Sequence, residues 1–316
     1  MNIFRNKALF AAIAVTLCMS AGHHSRAADA APAPNRFAAT IAPAERFDVG
    51  GVLVERHGGK GRPLILIPGL ASGSWVWQDT IRAFAPDHAV YVLTLPGFDG
   101  RPPAGPAPFA AARAAVEELI ASRRLEKPVI VGHSLGGILA LAVAEDKPAL
   151  VGGIVSIDGL PVMPGAEDMT PPQRAQFAER MRAQVGTQAP DRFAQQQQGY
   201  MRTIGVMDMA RADALAQLTA RSDPASVGTW AADVVTVDLR PGLKSIQAPV
   251  LAIVPYLDLD SSQQGLTPAA KADYYRALME GTPKLQVVTV APARHFAMFD
   301  QPQAVTAAIR TFLGTL

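Results

Sequence analysis

The chain has 316 residues, 49% of them hydrophobic, with 29 basic and 27 acidic residues and a single cysteine. A charge balance this close to neutral, with no basic stripe, argues against nucleic acid as a partner. With Cys18 alone there can be no disulfide staple and no thiolate metal site, so an apolar core has to hold the fold together.

The N-terminus reads as an address. Arg5 and Lys7 form a basic n-region, Ala8 to Ala21 make an apolar run too short for a typical membrane helix, and small residues at Ser25 and Ala27, or Ala28 and Ala30, offer cleavage sites. The expectation is a signal peptide over residues 1–27 and an exported, periplasmic or secreted protein with no stable membrane insertion after cleavage. A retained short anchor is the alternative. Losing Arg5, Lys7 and Arg26 leaves 26 basic against 27 acidic residues. Residues 28–45, rich in Ala and Pro, are expected to form a flexible leader to a domain spanning 46–316.

Beyond the leader, apolar β-branched runs alternate with helical stretches. The runs are Phe47 to Arg56, Pro63 to Ile67, Ala89 to Leu95, Pro128 to Val131, Gly153 to Ile157, Pro249 to Val254 and Leu285 to Val290. Continuous apolar strands separated by helices imply an α/β fold with a mostly parallel sheet covered on both faces. Helices are expected over Phe109 to Arg124, Leu135 to Glu145 and Ala304 to Leu313. Between Asp158 and Pro249 the strand rhythm stops, and Pro161, Pro164, Pro171, Pro172, Pro190 and Pro224 punctuate several short helices. The alternation then resumes, so the block over about 160–245 reads as a helical cap inserted between two strands of one sheet. Its methionines, Met163, Met169, Met181, Met201, Met207 and Met209, suit an adaptable apolar wall or, for most of them, the cap's own core.

Gly132-His133-Ser134-Leu135-Gly136 satisfies Gly-x-Ser-x-Gly between an apolar strand and an Ala/Leu-rich helix. That context turns a common five-letter pattern into a nucleophile elbow, where flanking glycines tolerate the strained turn that exposes the serine Oγ. A helix N-terminus capped by a serine is the structural alternative. A serine hydroxyl needs a base, and His295 follows the last strand. The other histidines of the folded region, His57, His88 and His133, suit surface or packing positions, with His133 also placed to line a pocket. For the acid that orients His295, Asp158 and Asp258 compete, Asp260 standing beside the latter. Asp258 follows Leu251 to Val254, but the segment from there to His295 is long. Asp158 sits flush against its strand end, which favours it without closing the question. Two oxyanion donors are expected from the Leu135 and Leu70 amides, the latter in the turn Pro68-Gly69-Leu70-Ala71. Trp75 and Trp77 follow that turn and are candidates for a pocket wall or for packing beneath it.

Taken together, Ile67-Pro68-Gly69-Leu70, Leu95-Pro96-Gly97-Phe98, Gly132-His133-Ser134-Leu135-Gly136-Gly137, Ala248-Pro249-Val250-Leu251 and Arg294-His295-Phe296 resemble the α/β-hydrolase superfamily. The likeness covers nearly all of Phe47 to Leu316 except the cap. It implies an eight-stranded, mostly parallel sheet, a Ser-His-acid triad and no cofactor. No metal is expected, and the expected partner is a small-molecule acyl substrate: a carboxylic ester is the default because an alcohol leaving group asks least of the site, with lactones, thioesters, amides and carbon-carbon bonds open on the same apparatus. Pro68 replaces the common His of the oxyanion turn, and Pro255-Tyr256-Leu257-Asp258 replaces the frequent Gly-x-x-Asp around the acid. The rival expectation from another class is a non-catalytic or receptor-like protein that binds a small ligand on the same scaffold.

Overall fold

A computed structural model describes residues 35–262 and 266–316. The expected signal peptide and the first residues of the leader lie outside that range. Eight strands form one sheet: β1 (Glu45–Val49), β2 (Val52–Gly58), β3 (Leu64–Ile67), β4 (Ala89–Thr94), β5 (Val129–His133), β6 (Gly153–Ile157), β7 (Val250–Pro255) and β8 (Leu285–Val290), in the order β1-β2-β4-β3-β5-β6-β7-β8. The β1–β2 and β2–β4 pairings are antiparallel and the remainder parallel. The run Phe47 to Arg56, read as one strand, is a hairpin. Gly50 and Gly51 take φ of 53° and 83° and join Val49 to Val52 in two residues, a turn whose twist suits a tight antiparallel pair.

Strands β3, β5, β6 and β7 are buried along their whole length, which is why they read as unbroken apolar runs. Their side chains alternate between two cores. Ile65, Ile67, Ile130 and Ile154 face one, closed by α2 (Pro108–Ser122) and α3 (Leu135–Asp146). Leu64, Leu66, Val131 and Val155 face the other, closed by α1 (Gln78–Phe84) and the C-terminal α11 (Pro302–Leu313).

Between β6 and β7 lie α4 (Pro171–Gly186), α5 (Pro190–Tyr200), a π-helical turn (Met201–Gly205), α6 (Met209–Thr219) and α7 (Pro224–Thr236). The prolines that punctuate the sequence here open α4, α5 and α7 at their first turn, where a missing N–H costs nothing. Asp208 and Asp223 cap α6 and α7 through side-chain acceptors at 2.6 Å and 2.8 Å. Three short segments complete the chain: α8 (Asp258–Ser262), α9 (Pro268–Leu278) and α10 (Ala297–Asp300). No helix among the described residues is long and apolar enough to cross a membrane.

α7 is seated on the loop that follows β4. Trp230 of α7, fully buried, donates from Nε1 to the Pro96 carbonyl at 3.0 Å. Gly97 beside it has φ of 81° and lies so near Ser226 that a Cβ would sit 2.2 Å from the serine Cβ. The Leu95-Pro96-Gly97-Phe98 segment is therefore the seat of α7.

The leader departs from expectation. Phe37, Ala38 and Ile41 pack on the second core, Asn35 donates to the Ala214 carbonyl at 2.6 Å, and the Ile41 amide donates to Gln78 Oε1 at 2.6 Å. Residues 35–41 thus form a strap across α1 and α6. Ala/Pro composition suggests a free linker, but Phe37 and Ile41 supply apolar area that burial stabilises.

Trp230→Ala removes a buried indole and leaves the Pro96 carbonyl without its donor, so it should lower unfolding free energy by about 3–5 kcal/mol. Chemical denaturation of wild type and variant checks this.

Candidate active site

At the end of β5 the chain reverses direction within one residue. Ser134 has φ of 52° and ψ of −119°, a conformation few non-glycine residues adopt, and α3 starts at Leu135. The neighbours explain how the turn closes. A Cβ on Gly132 would lie 2.1 Å from the Gly136 carbonyl oxygen, one on Gly136 would lie 2.1 Å from the Ile67 oxygen, and one on Gly137 would lie 2.3 Å from Ser156 Oγ. The Ser134 amide donates to the Ile157 carbonyl at 2.9 Å and pins the turn to the end of β6.

Asp158 follows β6 directly and also has positive φ, 51°. Its Oδ2 accepts a hydrogen bond from His295 Nδ1 at 2.5 Å. Its Oδ1 accepts from the Tyr275 hydroxyl of α9. Burial alone would raise this carboxyl, but the His295 charge and hydrogen bond, Lys271 nearby and the Tyr275 hydroxyl outweigh it and hold the group at about 2. Asp158 is therefore ionised at neutral pH, and it fixes the His295 proton on Nδ1. Asp258, the competing acid, is engaged elsewhere: it accepts from Tyr256 Oη at 2.7 Å, while Asp260 pairs with Arg294 at 2.8 Å. The length between Asp258 and His295 is taken up by α8, α9 and β8, so neither carboxylate is needed to reach the imidazole.

Ser134, Asp158 and His295 line one cavity of about 600 Å³, together with Leu70 and Leu135. Leu135 opens α3, so its N–H is among the first-turn donors that no helical carbonyl satisfies. Leu70 sits in the loop after β3, where Ala71 takes φ of 55°. Ser134 Oγ and the imidazole form no hydrogen bond with one another among the described contacts; such contacts commonly tighten only when substrate is bound. Tyr200 and His295 pack with their rings near perpendicular and centroids 6.2 Å apart, and burial raises the Tyr200 hydroxyl pKa, keeping it protonated.

Of the two residues expected to line a pocket, His133 is part of the cavity wall and Trp75 is not. Trp75 is 1% exposed, stacks on Phe299 with ring centroids 6.2 Å apart, and is absent from the cavity wall. The 3₁₀ turn Ser74–Trp77 drives both tryptophans into the second core, where their area is removed from water. His133 touches the cavity but has no exposed surface, and burial lowers its pKa so that the ring stays neutral. Its Nε2 donates to the His295 carbonyl at 3.0 Å, and its ring packs 4.5 Å from both His295 and Phe296. It supports the backbone of the His295 loop. Of the six cap methionines, Met163 and Met181 line the cavity.

The His295 loop is also fastened to the inserted helices. The His295 and Phe296 amides donate to the carbonyls of Ile204 and Gly205 at 3.1 Å and 2.9 Å. Arg294 Nη1 donates to the Arg202 and Val206 carbonyls, and Asp300 Oδ1 accepts from the Met207 amide at 3.1 Å. Neither these contacts nor Tyr275 has a local sequence signature, since each depends on segments remote in the chain.

These groups meet the needs of acyl transfer: a hydroxyl on a strained turn and an imidazole with one nitrogen fixed by a carboxylate, with Leu70 and Leu135 on the same wall. A model described as the alpha/beta hydrolase family matches residues 64–309. The biotin biosynthesis bifunctional protein BioHC of Cellvibrio japonicus is 28% identical over 257 residues, which cover 80% of this chain and 48% of that one. This chain therefore spans about half of that relative. The pimeloyl-(acyl-carrier protein) methyl ester esterase of Vibrio campbellii is 24% identical, with 80% of this chain and 95% of the relative aligned. Among solved structures, a thermophilic esterase from Thermogutta terrifontis superposes with a TM-score of 0.68 at 22% identity, over 86% of this chain and 99% of that one.

Tyr275→Phe withdraws a hydrogen bond from an ionised, buried carboxylate and should cost about 1.5–3 kcal/mol of stability at neutral pH. The carboxyl is depressed in the fold, so what its ionised form contributes is present above about pH 4 and lost as pH falls towards its folded value of about 2. The gap between wild type and variant should therefore narrow across that acid range, as read from denaturation midpoints in a pH series.

Proposed function

The chain belongs to the alpha/beta hydrolase family, and from that premise we propose that it is a serine hydrolase cleaving carboxylic esters through an acyl-enzyme on Ser134. The pairing of His295 Nδ1 with Asp158, in a cavity that Ser134 shares, carries the reading. Ser134 Oγ attacks the ester carbonyl as its proton passes to His295 Nε2. Ionised Asp158 holds the imidazole in the correct tautomer and stabilises the imidazolium, without taking the proton itself. The Leu70 and Leu135 amides donate to the oxyanion that forms. His295 returns the proton to the departing alkoxide, which leaves as alcohol. Water then enters and attacks the acyl carbon as it loses a proton to the same nitrogen, and His295 returns that proton to Ser134 Oγ as the acid departs.

Ester cleavage is the chemistry in the names of the relatives from Vibrio campbellii and Thermogutta terrifontis, and it asks least of the leaving group. The basic n-region, apolar run and small residues of 1–27 support export, with residues 35–41 strapping the mature start of the chain to the body. Mass spectrometry of protein from a secreting host should find its first residue at Ala28 or Ala31, and full-length protein only would overturn cleavage in favour of a retained anchor.

A fluorophosphonate probe should label the wild type and fail to label Ser134→Ala. With a p-nitrophenyl ester, Asp158→Asn should lose about 10⁴-fold in kcat through the wrong tautomer. Asp258→Asn should stay within about threefold, having no contact with His295. Folded wild type that resists the probe ends the hydrolase reading.

A further inference from the structure

We infer that Lys271 receives an anionic group of the substrate, so that the site is built for esters that carry a negative charge beside an apolar portion. The inference rests on the cavity being the ester-cleaving site proposed above. Its wall has two chemical characters. Ile138, Leu160, Met163, Val185, Val227 and Val234 offer apolar surface from α3 and the inserted helices. The segment from β7 onwards offers charge: Asp260, Lys271 and Arg294.

All but one of the charges there are already spent. Arg294 grips Asp260 with two nitrogens, at 2.8 Å and 3.0 Å, and gives a third to backbone carbonyls. Asp158 is occupied by His295 and Tyr275. Lys271 is half-buried, lines the cavity, and its ammonium makes no hydrogen bond or ion pair among the described residues. The residues 263–265 that precede α9 are Gln, Gln and Gly, so they bring no carboxylate to it.

Helix geometry fixes where this charge goes. Lys271 stands four residues before Tyr275 on α9, on the same face, and Tyr275 reaches Asp158. Asp158 feels the Lys271 charge, which helps to keep it ionised. A cation at this point opposes the imidazolium that His295 becomes during the reaction, because two positive charges then share one cavity. A substrate anion seated on Lys271 cancels that opposition, as well as supplying an ionic contact. A neutral ester leaves the opposition standing. The site thus gains from an anionic substrate in binding and again in the barrier.

The test pairs esters that differ in charge and little else. Methyl hydrogen adipate against methyl adipamate places the anion in the acyl part; an acetoxybutyrate against its amide places it in the alcohol part. Wild type should prefer the anionic member of at least one pair by about 10-fold or more in kcat/KM. Added salt should weaken that preference. Lys271→Met should abolish it, with kcat/KM falling for the anionic esters and rising or holding for the neutral ones as the opposition to the imidazolium is lifted, and Lys271→Arg should keep part of it. No charge preference in wild type, or equal losses on charged and neutral esters in Lys271→Met, would overturn the inference, the second result assigning Lys271 to the support of Asp158 alone. Fluorophosphonate labelling of each variant reports Ser134 and His295 separately, so an intact label without charge preference sinks this inference and spares the hydrolase reading.

Discussion

A single residue of improbable backbone sets the terms for the rest of the molecule. The φ of 52° at Ser134 costs on the order of 1–3 kcal/mol, and the chain can hold it only because β5 and α3 press from both sides. That pressure demands glycine at 132, 136 and 137, where any side chain would strike backbone or Ser156. It also requires β5 to lie deep in the sheet, flanked by β3 and β6, whose C-terminal ends bring Leu70 and Asp158 to the same rim. The cavity is where it is because three neighbouring strands end together.

Most of the sheet was legible because buried parallel strands leave a direct mark: each must be apolar at every position, whichever face it shows. The elbow was legible for the same local reason, since its glycines are required within five residues. The hairpin of β1 and β2 was hidden inside one apolar run, although Gly50-Gly51 marked the turn. The strap at 35–41 was misjudged because Ala and Pro dominate the composition there and only two apolar side chains do the packing. Trp75 stayed open between pocket wall and packing for a related reason: proximity in sequence to the loop after β3 says nothing about which face a 3₁₀ turn presents.

The acid could be narrowed but not chosen from sequence, because two strand ends each offer an aspartate. What decides between them is α9, a helix remote from both the elbow and β6. Its Tyr275 closes on Asp158, and the extra length between Asp258 and His295 is the material from which that helix is made. The same helix delivers Lys271, so one element both completes the hydrogen bonding of the carboxylate and sets the charge of the cavity.

The bonds from Ile204, Gly205, Arg202 and Met207 to the loop bearing His295 give the inserted helices two unequal halves. The half that contains α5, the π-turn and α6 is a fixed jamb: were it to swing, it would drag the imidazole off Asp158 and disarm the centre. The half formed by α4 packed along α7 has no such tie to that loop; its anchor is α7, seated on Leu95-Pro96-Gly97 through Trp230. A displacement confined to α4 would therefore leave the proton-transfer machinery assembled, since the contacts it broke would take no part in the chemistry.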